Sequence, residues 1–466
     1  MTRPIRPALR DLAAATAAAL LVVAAVVVGR RIQSAHRTLF VHWPPLYAEW
    51  APHLGPGTPG ALLVAVAVVA YGPPLASRLR WRALLPAAWA ASLAWTWSLA
   101  LVDGWHRGVA VRLTTRNEYL QVIGRFHDIP AALRDFTQHI LAGSEGQWPA
   151  HIAGHPPAAT LTFVLLDRAG LRGGGWAGAW CIVTGTTACV AVLVAVRALA
   201  GQEAARRAAP FLVLAPAAVW VGASADGWFT AVAAWSVALF ATAVTGRGGR
   251  GARAAAGLGS GLLFGLTCYL SYGLTLFALV LAGVLLTARL RDGAVPRGSA
   301  LPMCLFPLGA AVVPLVFTLA GFDWWEAYRL LVTRYYQGVG GTRPYGYWVW
   351  ANLACTVLVA GPATAAGLVR AGGAALGPRG GALARVRGGG GPPEAGARLG
   401  VLVLSALLAL LVADLSGMSK AETERIWLPF VLWLLPACAL LTRPRAWLAA
   451  QAVLALLLNH LLLTGW

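Results

Sequence analysis

Residues 12–29 read LAAATAAALLVVAAVVVG, an unbroken apolar run between Arg10 and the Arg30-Arg31 pair. A helix of this length rises about 27 Å, close to the roughly 30 Å of hydrocarbon that a transmembrane helix must cross. Runs of this kind recur along all 466 residues, of which 58% are hydrophobic and 12% charged. Because the runs are continuous rather than alternating, they predict membrane-spanning α-helices and not a β-barrel.

These runs predict an all-α fold, a polytopic transmembrane helical bundle of about 13 spans with an external loop that bears interfacial helices. The predicted spans cover residues 12–29, 60–76, 83–102, 176–197, 208–222, 226–245, 255–270, 273–288, 300–320, 346–369, 399–413, 427–442 and 446–463. They divide the chain into N-terminal anchor spans (1–102), an external catalytic-type loop with a re-entrant segment (103–175), a core bundle (176–369), a cytoplasmic linker rich in Gly and Arg (370–398) and a C-terminal unit of three spans (399–466). We call residues 103–175 the external segment.

The basic residues indicate the orientation of the spans. If the N terminus lies inside, the inner segments hold 22 of the 37 Lys and Arg residues but four of the 17 acidic residues. Cytoplasmic loops carry such an excess of positive charge, so we expect a multi-pass plasma-membrane protein with a cytoplasmic N terminus and an extracytoplasmic external segment. Because the net charge of +20 is spread between the spans rather than clustered, no nucleic-acid partner is expected.

The external segment concentrates polar side chains beside a predicted span. Its first part, residues 103–157, contains two candidate acids and five histidines and ends in the sequence GHPP at positions 154–157. The apolar run at 157–169 is about 20 Å long, too short to cross the hydrocarbon, and is expected to be re-entrant or interfacial. An amphipathic helix is predicted over 130–141, lying on the outer head groups, from the spacing of Ile129, Leu133, Phe136 and Ile140. The segment is therefore predicted to cap the bundle at the membrane surface.

Three carboxylates on the predicted outer side are candidates for a reactive site. Glu118 lies within the external segment, Asp103 closes the third predicted span, and Asp226 opens the span that follows Pro216. A carboxylate at the membrane is costly unless it has a partner. Each also has a structural interpretation, as a solvated loop carboxylate (Glu118), a charge at a helix end (Asp103) or a helix N-cap (Asp226). The residues alone leave both interpretations open.

Two further outer loops combine basic and aromatic residues. The aromatic segment, residues 322–345, places Arg334 and Arg343 among Trp and Tyr side chains, and the C-terminal loop, residues 414–427, contains Arg425 and the single lysine of the chain, Lys420. Guanidinium groups pair with phosphate oxygens, and aromatic rings favour the head-group level of a bilayer. We therefore expect these cations to bind a lipid phosphate. An ordinary aromatic belt with solvated arginines is the alternative.

The external segment resembles the first external loop of class C glycosyltransferases (GT-C), especially the group of the lipid A aminoarabinose transferase and the protein O-mannosyltransferases. The resemblance rests on Asn117-Glu118-Tyr119, the interfacial helices, and Gly154-His155-Pro156-Pro157 followed by a short apolar run. Those enzymes carry an Asp-Glu pair before an aromatic residue and a basic residue before two prolines. Here Asn117 stands in place of the first acid and His155 in place of the usual Lys. The high Arg, Ala and Gly content is similar to that of actinobacterial membrane proteins.

The resemblance implies an inverting glycosyltransferase that moves a sugar from a polyprenyl-phosphate donor to an envelope glycan or lipid acceptor on the outer face, among membrane lipids. In that scheme the acceptor hydroxyl loses its proton to a carboxylate. The implied catalytic residues are Glu118 first, Asp103 second, and His155. The implied substrate-binding residues are Tyr119, His151, Asp226, Arg334, Arg343, Lys420 and Arg425.

Two other functions fit the composition. A lipid or glycolipid transporter or flippase would also need a groove with cations, but it is expected to carry charged residues near the bilayer midplane, and the predicted spans are nearly free of them. A non-catalytic protein of envelope assembly is the other alternative. No cofactor and no metal are expected. His151 and His155 have the spacing of a zinc-binding pair, but Pro156 and Pro157 oppose a continuous helix at that point.

Overall fold

Helices make up nearly all of the regular structure in the computed structural model, which describes residues 5–246, 248–292, 300–377 and 394–465. The α-helices are Ile5–His36, Thr58–Arg78, Trp81–Ala100, Ile129–Arg134, Ala150–Ala153, Ala158–Arg168, Gly174–Thr186, Ala188–Ala200, Gln202–Val213, Ala218–Val221, Ala225–Val244, Arg250–Leu270, Phe277–Asp292, Ala300–Leu319, Trp324–Gln337, Val339–Thr342, Tyr345–Ala360, Pro362–Leu376, Ala395–Leu415, Thr423–Ile426, Leu428–Val431 and Pro444–Leu461. The 3-10 helices are Leu101–Asp103, Arg112–Thr114, Tyr119–Phe126, Phe136–His139, Tyr272–Leu276 and Leu435–Leu440, and His106–Ala110 is a π-helix. Two short strands, Ala48–Trp50 and Leu462–Thr464, pair antiparallel with Ala48 opposite Thr464.

The long apolar helices confirm the prediction of a polytopic all-α membrane protein. Among the described residues, eight helices are long and apolar enough to cross a membrane, and nine if the bent pair Tyr345–Ala360 and Pro362–Leu376 counts as one span. The predicted number of about 13 spans is therefore not confirmed. Two of the predicted spans, 208–222 and 427–442, are interrupted by non-helical turns. Pro216 lies in the first interruption, and proline lacks the N–H that a helix interior requires. Pro436 follows the turn at 432–434 as the second residue of the 3-10 helix Leu435–Leu440.

A sharp bend of 106° separates Tyr345–Ala360 from Pro362–Leu376. Gly361 forms the bend with a positive φ of 83°, a conformation that suits glycine best. The buried side chain of Gln451, from the C-terminal helix, fills the gap. Its Nε2 donates to the carbonyl of Ala360 at 2.8 Å, and its Oε1 accepts from the amide of Ala363 at 3.4 Å. The side chain thus replaces part of the hydrogen bonding that the bend removes from the helix.

The helix Ala225–Val244 runs through the most deeply packed part of the bundle. In the 18-residue apolar stretch of this helix, 78% of the residues are buried. Ser224 caps its N-terminus, because the Ser224 hydroxyl accepts a hydrogen bond from the amide of Asp226. The structural interpretation of the sequence, in which Asp226 is the helix N-cap, is therefore wrong, because Ser224 is the cap. Its carboxylate lies in the first turn of a buried helix and is directed to other partners.

The external segment forms short helices that pack on the protein. The predicted amphipathic helix is split into Ile129–Arg134 and Phe136–His139. Its apolar face does not lie on head groups but is buried within the protein, where Phe136 packs against Trp148 and Phe322 with ring centroids 5.3 and 5.5 Å apart. The apolar run after Pro157 forms the 11-residue helix Ala158–Arg168, too short to span a membrane and packed against the turn Tyr119–Phe126.

Two helices extend into the ends of the predicted cytoplasmic linker, residues 370–398. The helix Pro362–Leu376 continues into its first part, and Ala395–Leu415 begins before its end. Residues 378–393 of the linker lie outside the described residues. The other predicted segment boundaries remain predictions.

Candidate functional site

Charged side chains from four parts of the chain meet at one end of the bundle, where they are buried or nearly so. The external segment, the start of helix Ala225–Val244, the aromatic segment and the C-terminal loop all contribute. We call this group the charge network. It consists of Glu118, His151, Asp226, Arg343, Glu422 and Arg425.

Arg425 is the centre of the charge network. Its Nη1 donates to Asp226 Oδ2 at 2.7 Å, and its Nη2 lies 3.0 Å from His151 Nε2 and 3.4 Å from Glu422 Oε2. Burial on its own would lower the pKa of Arg425, but the adjacent Asp226 and Glu422 carboxylates raise that pKa above its ordinary value. The guanidinium is therefore a permanent cation that holds three segments together.

Glu118 is buried beside this cation. Only 5% of the residue is exposed, and its Oε1 lies 2.9 Å from His151 Nδ1. Glu118 immediately precedes the 3-10 helix Tyr119–Phe126, and Tyr119 stacks on Phe163 with the ring centroids 5.3 Å apart. Burial raises the pKa of the Tyr119 hydroxyl, which stays neutral. The motif residues Glu118 and Tyr119 are thus fixed by packing and not solvated in a loop.

His155 packs against Tyr119, the aromatic residue that follows Glu118. Its Nδ1 donates to the carbonyl of His151 at 2.7 Å, and its ring packs against Tyr119 and Phe229. Burial lowers the pKa of His155 to about 4. The imidazole is therefore neutral at physiological pH and does not supply the positive charge that its place in the GT-C-like motif implied.

A small enclosed cavity lies against the charge network. Glu118, Asp226 and Arg425 all line it, so that a carboxylate, a guanidinium and a second carboxylate face one space. The complete lining is Arg112, Leu113, Glu118, Tyr119, His151, Ala223, Ser224, Ala225, Asp226 and Arg425. A wider cleft lies next to the cavity, and His151 lines both.

The cleft contains the other predicted cations. It is lined by Tyr47 and by residues of the external segment, the aromatic segment and the C-terminal loop, among them Arg334, Tyr335, Arg343 and Lys420. Its space, with the open solvent at its mouth, is about 1200 Å³. The cleft is large enough for a sugar head group, and its lining supplies three cationic side chains beside aromatic rings.

The three cations of the cleft differ in what they already bind. Arg343 is buried and donates to the carbonyls of Leu39 and Lys420 at 3.0 and 2.7 Å and to Glu422. The Lys420 ammonium donates to the carbonyl of Gly340 at 2.8 Å. Arg334 is half-buried and makes no hydrogen bond or ion pair with any residue that the structure describes. Among these cations, Arg334 is thus the one whose guanidinium is available to a ligand.

Asp103 belongs to a second cluster. Its Oδ1 lies 2.7 Å from His53 Nε2, and its Oδ2 lies 2.7 Å from Arg112 Nη2 and 3.6 Å from Arg107 Nε. We call these four residues the Asp103 cluster. Arg112 also lines the small cavity, so the two groups adjoin, but Asp103 itself is not among the residues that face the cavity. The structure brings together Glu118, Tyr119, His151, Asp226 and Arg425, and it places Asp103 behind Arg112.

Sequence reasoning missed two members of the site. Glu422 bridges Arg343 and Arg425, and Arg112 connects the cavity to Asp103. Glu422 had a signal, because it is an acid two residues from the single lysine in a loop already selected for its cations. Arg112 had none, because it is one of many arginines near the end of a span. In the described part of the chain, no group of three or more His, Cys, Asp or Glu side chains has an arrangement that would hold a metal ion.

Comparison with known proteins gives distant structural similarity. No protein family model and no curated protein matches the chain. The fold is similar to that of an Archaeoglobus fulgidus oligosaccharyltransferase in a complex with Zn and sulfate, at 14% identity and a TM-score of 0.43, over 71% of this chain and 45% of that chain. It is also similar to that of ArnT from Cupriavidus metallidurans bound to undecaprenyl phosphate, at 15% identity and a TM-score of 0.40, over 72% of this chain and 60% of that chain. The same oligosaccharyltransferase tethered with an acceptor peptide is also similar (12%, 0.38, 81% and 49%). The chain spans about half the length of these proteins, and at such identities the similarity assigns it neither a family nor a substrate.

Proposed function

We propose that this protein is a membrane glycosyltransferase, which transfers a sugar from a polyprenyl-phosphate donor to an acceptor of the cell envelope at the outer face of the membrane. One observation supports this proposal above the others. A buried carboxylate, Glu118, faces a small cavity that adjoins a wide cleft with cations and aromatic rings at the end of a membrane bundle. Such a site can hold a lipid-linked phosphate in the cleft and activate a hydroxyl in the cavity.

The acceptor side of the reaction is assigned to Glu118. An acceptor hydroxyl in the cavity would form the new bond from its oxygen to the anomeric carbon as the bond from that carbon to the phosphate oxygen breaks. The hydroxyl proton passes to the carboxylate, and the phosphate leaves as an anion. A single displacement of this kind inverts the anomeric configuration. Glu118 Oε2 accepts no hydrogen bond from the described residues and is therefore the oxygen assigned to take the proton.

The donor side is assigned to the cleft. The departing phosphate gains negative charge, and cations fixed near it stabilise that charge. Arg334 is the direct contact in this proposal and Lys420 the second, because both line the cleft and neither faces a carboxylate at hydrogen-bond distance among the described residues. Arg343 holds the backbone of the cleft through its bonds to Leu39 and Lys420. This division assigns different roles to cations that the sequence had grouped together as phosphate ligands.

Transfer is tested with purified protein in lipid nanodiscs and a panel of synthetic polyprenyl-phosphate sugars, with extracted envelope glycans and lipids as acceptors. Mass spectrometry of the products should show a mass gain of one sugar and release of polyprenyl phosphate. Glu118→Gln should abolish the gain, whereas Glu145→Gln, at an exposed carboxylate of the same segment, should not. The same protein is also reconstituted in vesicles. Translocation of the lipid-linked sugar across the vesicle membrane, without any sugar transfer, would contradict the proposal and favour a flippase.

The proposed orientation is tested in intact cells. A cysteine introduced at Ser144, in the external segment, should react with a membrane-impermeant thiol reagent. A cysteine introduced at Thr442, an exposed position before helix Pro444–Leu461, should react only after the cells are opened. The reverse pattern would place the charge network on the cytoplasmic side and contradict the outer-face assignment.

A further inference from the structure

We propose that His151 is a positioning residue, which Arg425 fixes as the neutral tautomer with its proton on Nδ1, and that this tautomer orients the Glu118 carboxylate. The inference rests on the proposed function for its catalytic consequence. Its structural part, the tautomer, stands on the geometry alone. The resemblance implied a substrate-binding role for His151, which differs from the positioning role inferred here.

Both ring nitrogens of His151 are engaged. Nδ1 lies 2.9 Å from Glu118 Oε1, and Nε2 lies 3.0 Å from Arg425 Nη2. A guanidinium has N–H donors and no acceptor, so Nε2 must accept and carries no proton. The one proton of the neutral ring is therefore on Nδ1, the nitrogen that lies 2.9 Å from the Glu118 carboxylate. The identity of the neighbours decides the tautomer without reference to hydrogen positions.

Arg425 is held so that it cannot turn away from the ring. Its contacts also include the Asp226 carboxylate at 2.7 Å and the Glu422 carboxylate at 3.4 Å, and its side chain is 7% exposed. The loop that carries it is also fixed, because Ala421 and Glu422 both have positive φ, 70° and 61°. Two consecutive non-glycine residues in this conformation persist only where surrounding contacts impose it. The bond of Glu422 to Arg343, at 3.3 Å, is one such contact.

A proton on Nε2 would break this arrangement. The new N–H would oppose the Arg425 N–H groups at 3.0 Å, with two cations side by side. Among the described residues, the charged and titratable groups that face His151 include Glu118 and Tyr119 of the external segment, His155 of its own turn, Asp226 of helix Ala225–Val244, and Arg425 and Glu422 of the C-terminal loop. The protonated ring would keep Glu118 as an ion-pair partner, and a carboxylate paired to a cation accepts a substrate proton less readily. Protonation of the ring should therefore lower the rate of transfer.

The tautomer is tested directly by ¹⁵N NMR of protein labelled at histidine. His151→Gln identifies the His151 signals by their loss. At neutral pH the wild-type signals should show a protonated Nδ1 and an unprotonated Nε2, and Arg425→Gln should release that preference. A protonated Nε2 in the wild type would overturn the inference. The measurement needs no substrate, so its outcome is independent of whether the protein transfers a sugar.

The catalytic consequence is tested by pH–rate profiles. A glutamine can donate to Glu118 and accept from Arg425 but does not titrate, so His151→Gln should keep kcat within about tenfold of the wild type near neutral pH and shift the acidic limb to lower pH. His151→Ala should lower kcat by roughly 10² with little change in the donor KM. His127→Gln, at an exposed histidine of the same segment, is the matched control and should reproduce the wild-type profile. Coincident acidic limbs in the wild type and His151→Gln would overturn the proposed positioning role, whereas absence of transfer in the wild type would overturn the proposed function instead.

Discussion

Asp103 and Glu118 lie in the same external segment, and yet their carboxylates have different surroundings. The Asp103 carboxylate has hydrogen-bond partners on both oxygens, His53 and Arg112, and Arg107 is an ion-pair partner at 3.6 Å. The Glu118 carboxylate has one close ionisable partner among the described residues, His151 Nδ1 at 2.9 Å, and lies against a cavity. A carboxylate whose lone pairs are occupied by guanidinium groups has little capacity left to accept a proton from a hydroxyl. The comparison suggests that Asp103 fixes structure and that Glu118 is the carboxylate left for chemistry.

The largest expected effect separates the two acids by activity. Glu118→Gln keeps an acceptor for His151 Nδ1 but cannot take a proton, so we expect transfer to fall by roughly 10² to 10⁴ while the protein remains folded. Asp103→Asn should lower transfer per folded molecule by less than about tenfold, because an amide still accepts from Arg112. Rates of sugar transfer, corrected for the folded fraction measured by gel filtration, decide the comparison. If Asp103→Asn abolished transfer and Glu118→Gln did not, the roles would be exchanged.

The second expected effect separates the two arginines by stability. Arg425→Gln leaves Asp226 without its cation in a buried site, and breaking a buried pair from one side costs about 3–5 kcal/mol. Arg112→Gln should cost about 1–3 kcal/mol, since Asp103 keeps His53 and Arg107. Thermal unfolding in detergent, followed by tryptophan fluorescence, measures both. Equal losses would show that the two acidic clusters do not differ in their dependence on a single cation.

The third expected effect concerns pH. The pKa of His155 is lowered to about 4 in the folded protein, below the ordinary histidine value near 6.5. The folded state therefore binds fewer protons than the unfolded state between these values. The contribution of the neutral His155 ring to the free energy of unfolding is fully present above about pH 6.5. It decreases as the pH falls towards 4, and the decrease is about 2 kcal/mol at pH 5.

Unfolding midpoints at pH 7 and pH 5 check this linkage, with His155→Gln as the variant that should lose less stability on acidification. His127→Gln, at an exposed ring, is its control. A wild-type midpoint that fell no more than that of His155→Gln would show that this ring is not held neutral beside the charge network.

The smallest expected effect is in the cleft. Arg334→Gln should raise the donor KM by about tenfold, which corresponds to about 1.4 kcal/mol for one charge-assisted contact that is partly open to solvent. Arg329→Gln, at an exposed arginine of the same helix, should leave the donor KM unchanged. Kinetics with a synthetic polyprenyl-phosphate sugar distinguish the two. Equal donor constants for wild type and Arg334→Gln would remove Arg334 from the donor site.

The sequence predicted the class of fold and much of the charge network, but not how its members are paired. Glu118, Tyr119, His151, Asp226 and Arg425 were all selected from composition, spacing and resemblance, and they meet in one place. Their pairing was not predictable because it depends on contacts between residues far apart in the chain, such as Asp226 with Arg425. Arg343 was predicted, with Arg334, Lys420 and Arg425, to bind a lipid phosphate. In the structure, the Arg343 guanidinium instead donates hydrogen bonds to the carbonyl groups of Leu39 and Lys420.

The predicted span boundaries failed where hydropathy and backbone hydrogen bonding disagree. The stretches 208–222 and 427–442 are apolar enough for spans, but each is divided by a non-helical turn, and Pro216 lies in the first of these turns. The amphipathic face of 129–140 was recognised, but its periodicity is the same whether it faces lipid or protein. Only the position of Trp148 and Phe322 determines that it faces the protein. Periodicity therefore identified the apolar face but could not identify what covers it.

The bend at Gly361 has a consequence for the order of assembly. The chain leaves the ribosome from its N-terminus, so residues 345–376 enter the membrane well before Gln451 has been synthesised. Until the helix Pro444–Leu461 is inserted, the amide of Ala363 lacks the acceptor that Gln451 provides, whereas the carbonyl of Ala360 still accepts from the Thr364 hydroxyl. An unsatisfied backbone group in hydrocarbon costs several kcal/mol. The nascent chain is therefore expected to straighten across Gly361, or to keep this region at the translocon, until the last helix arrives and completes the bend.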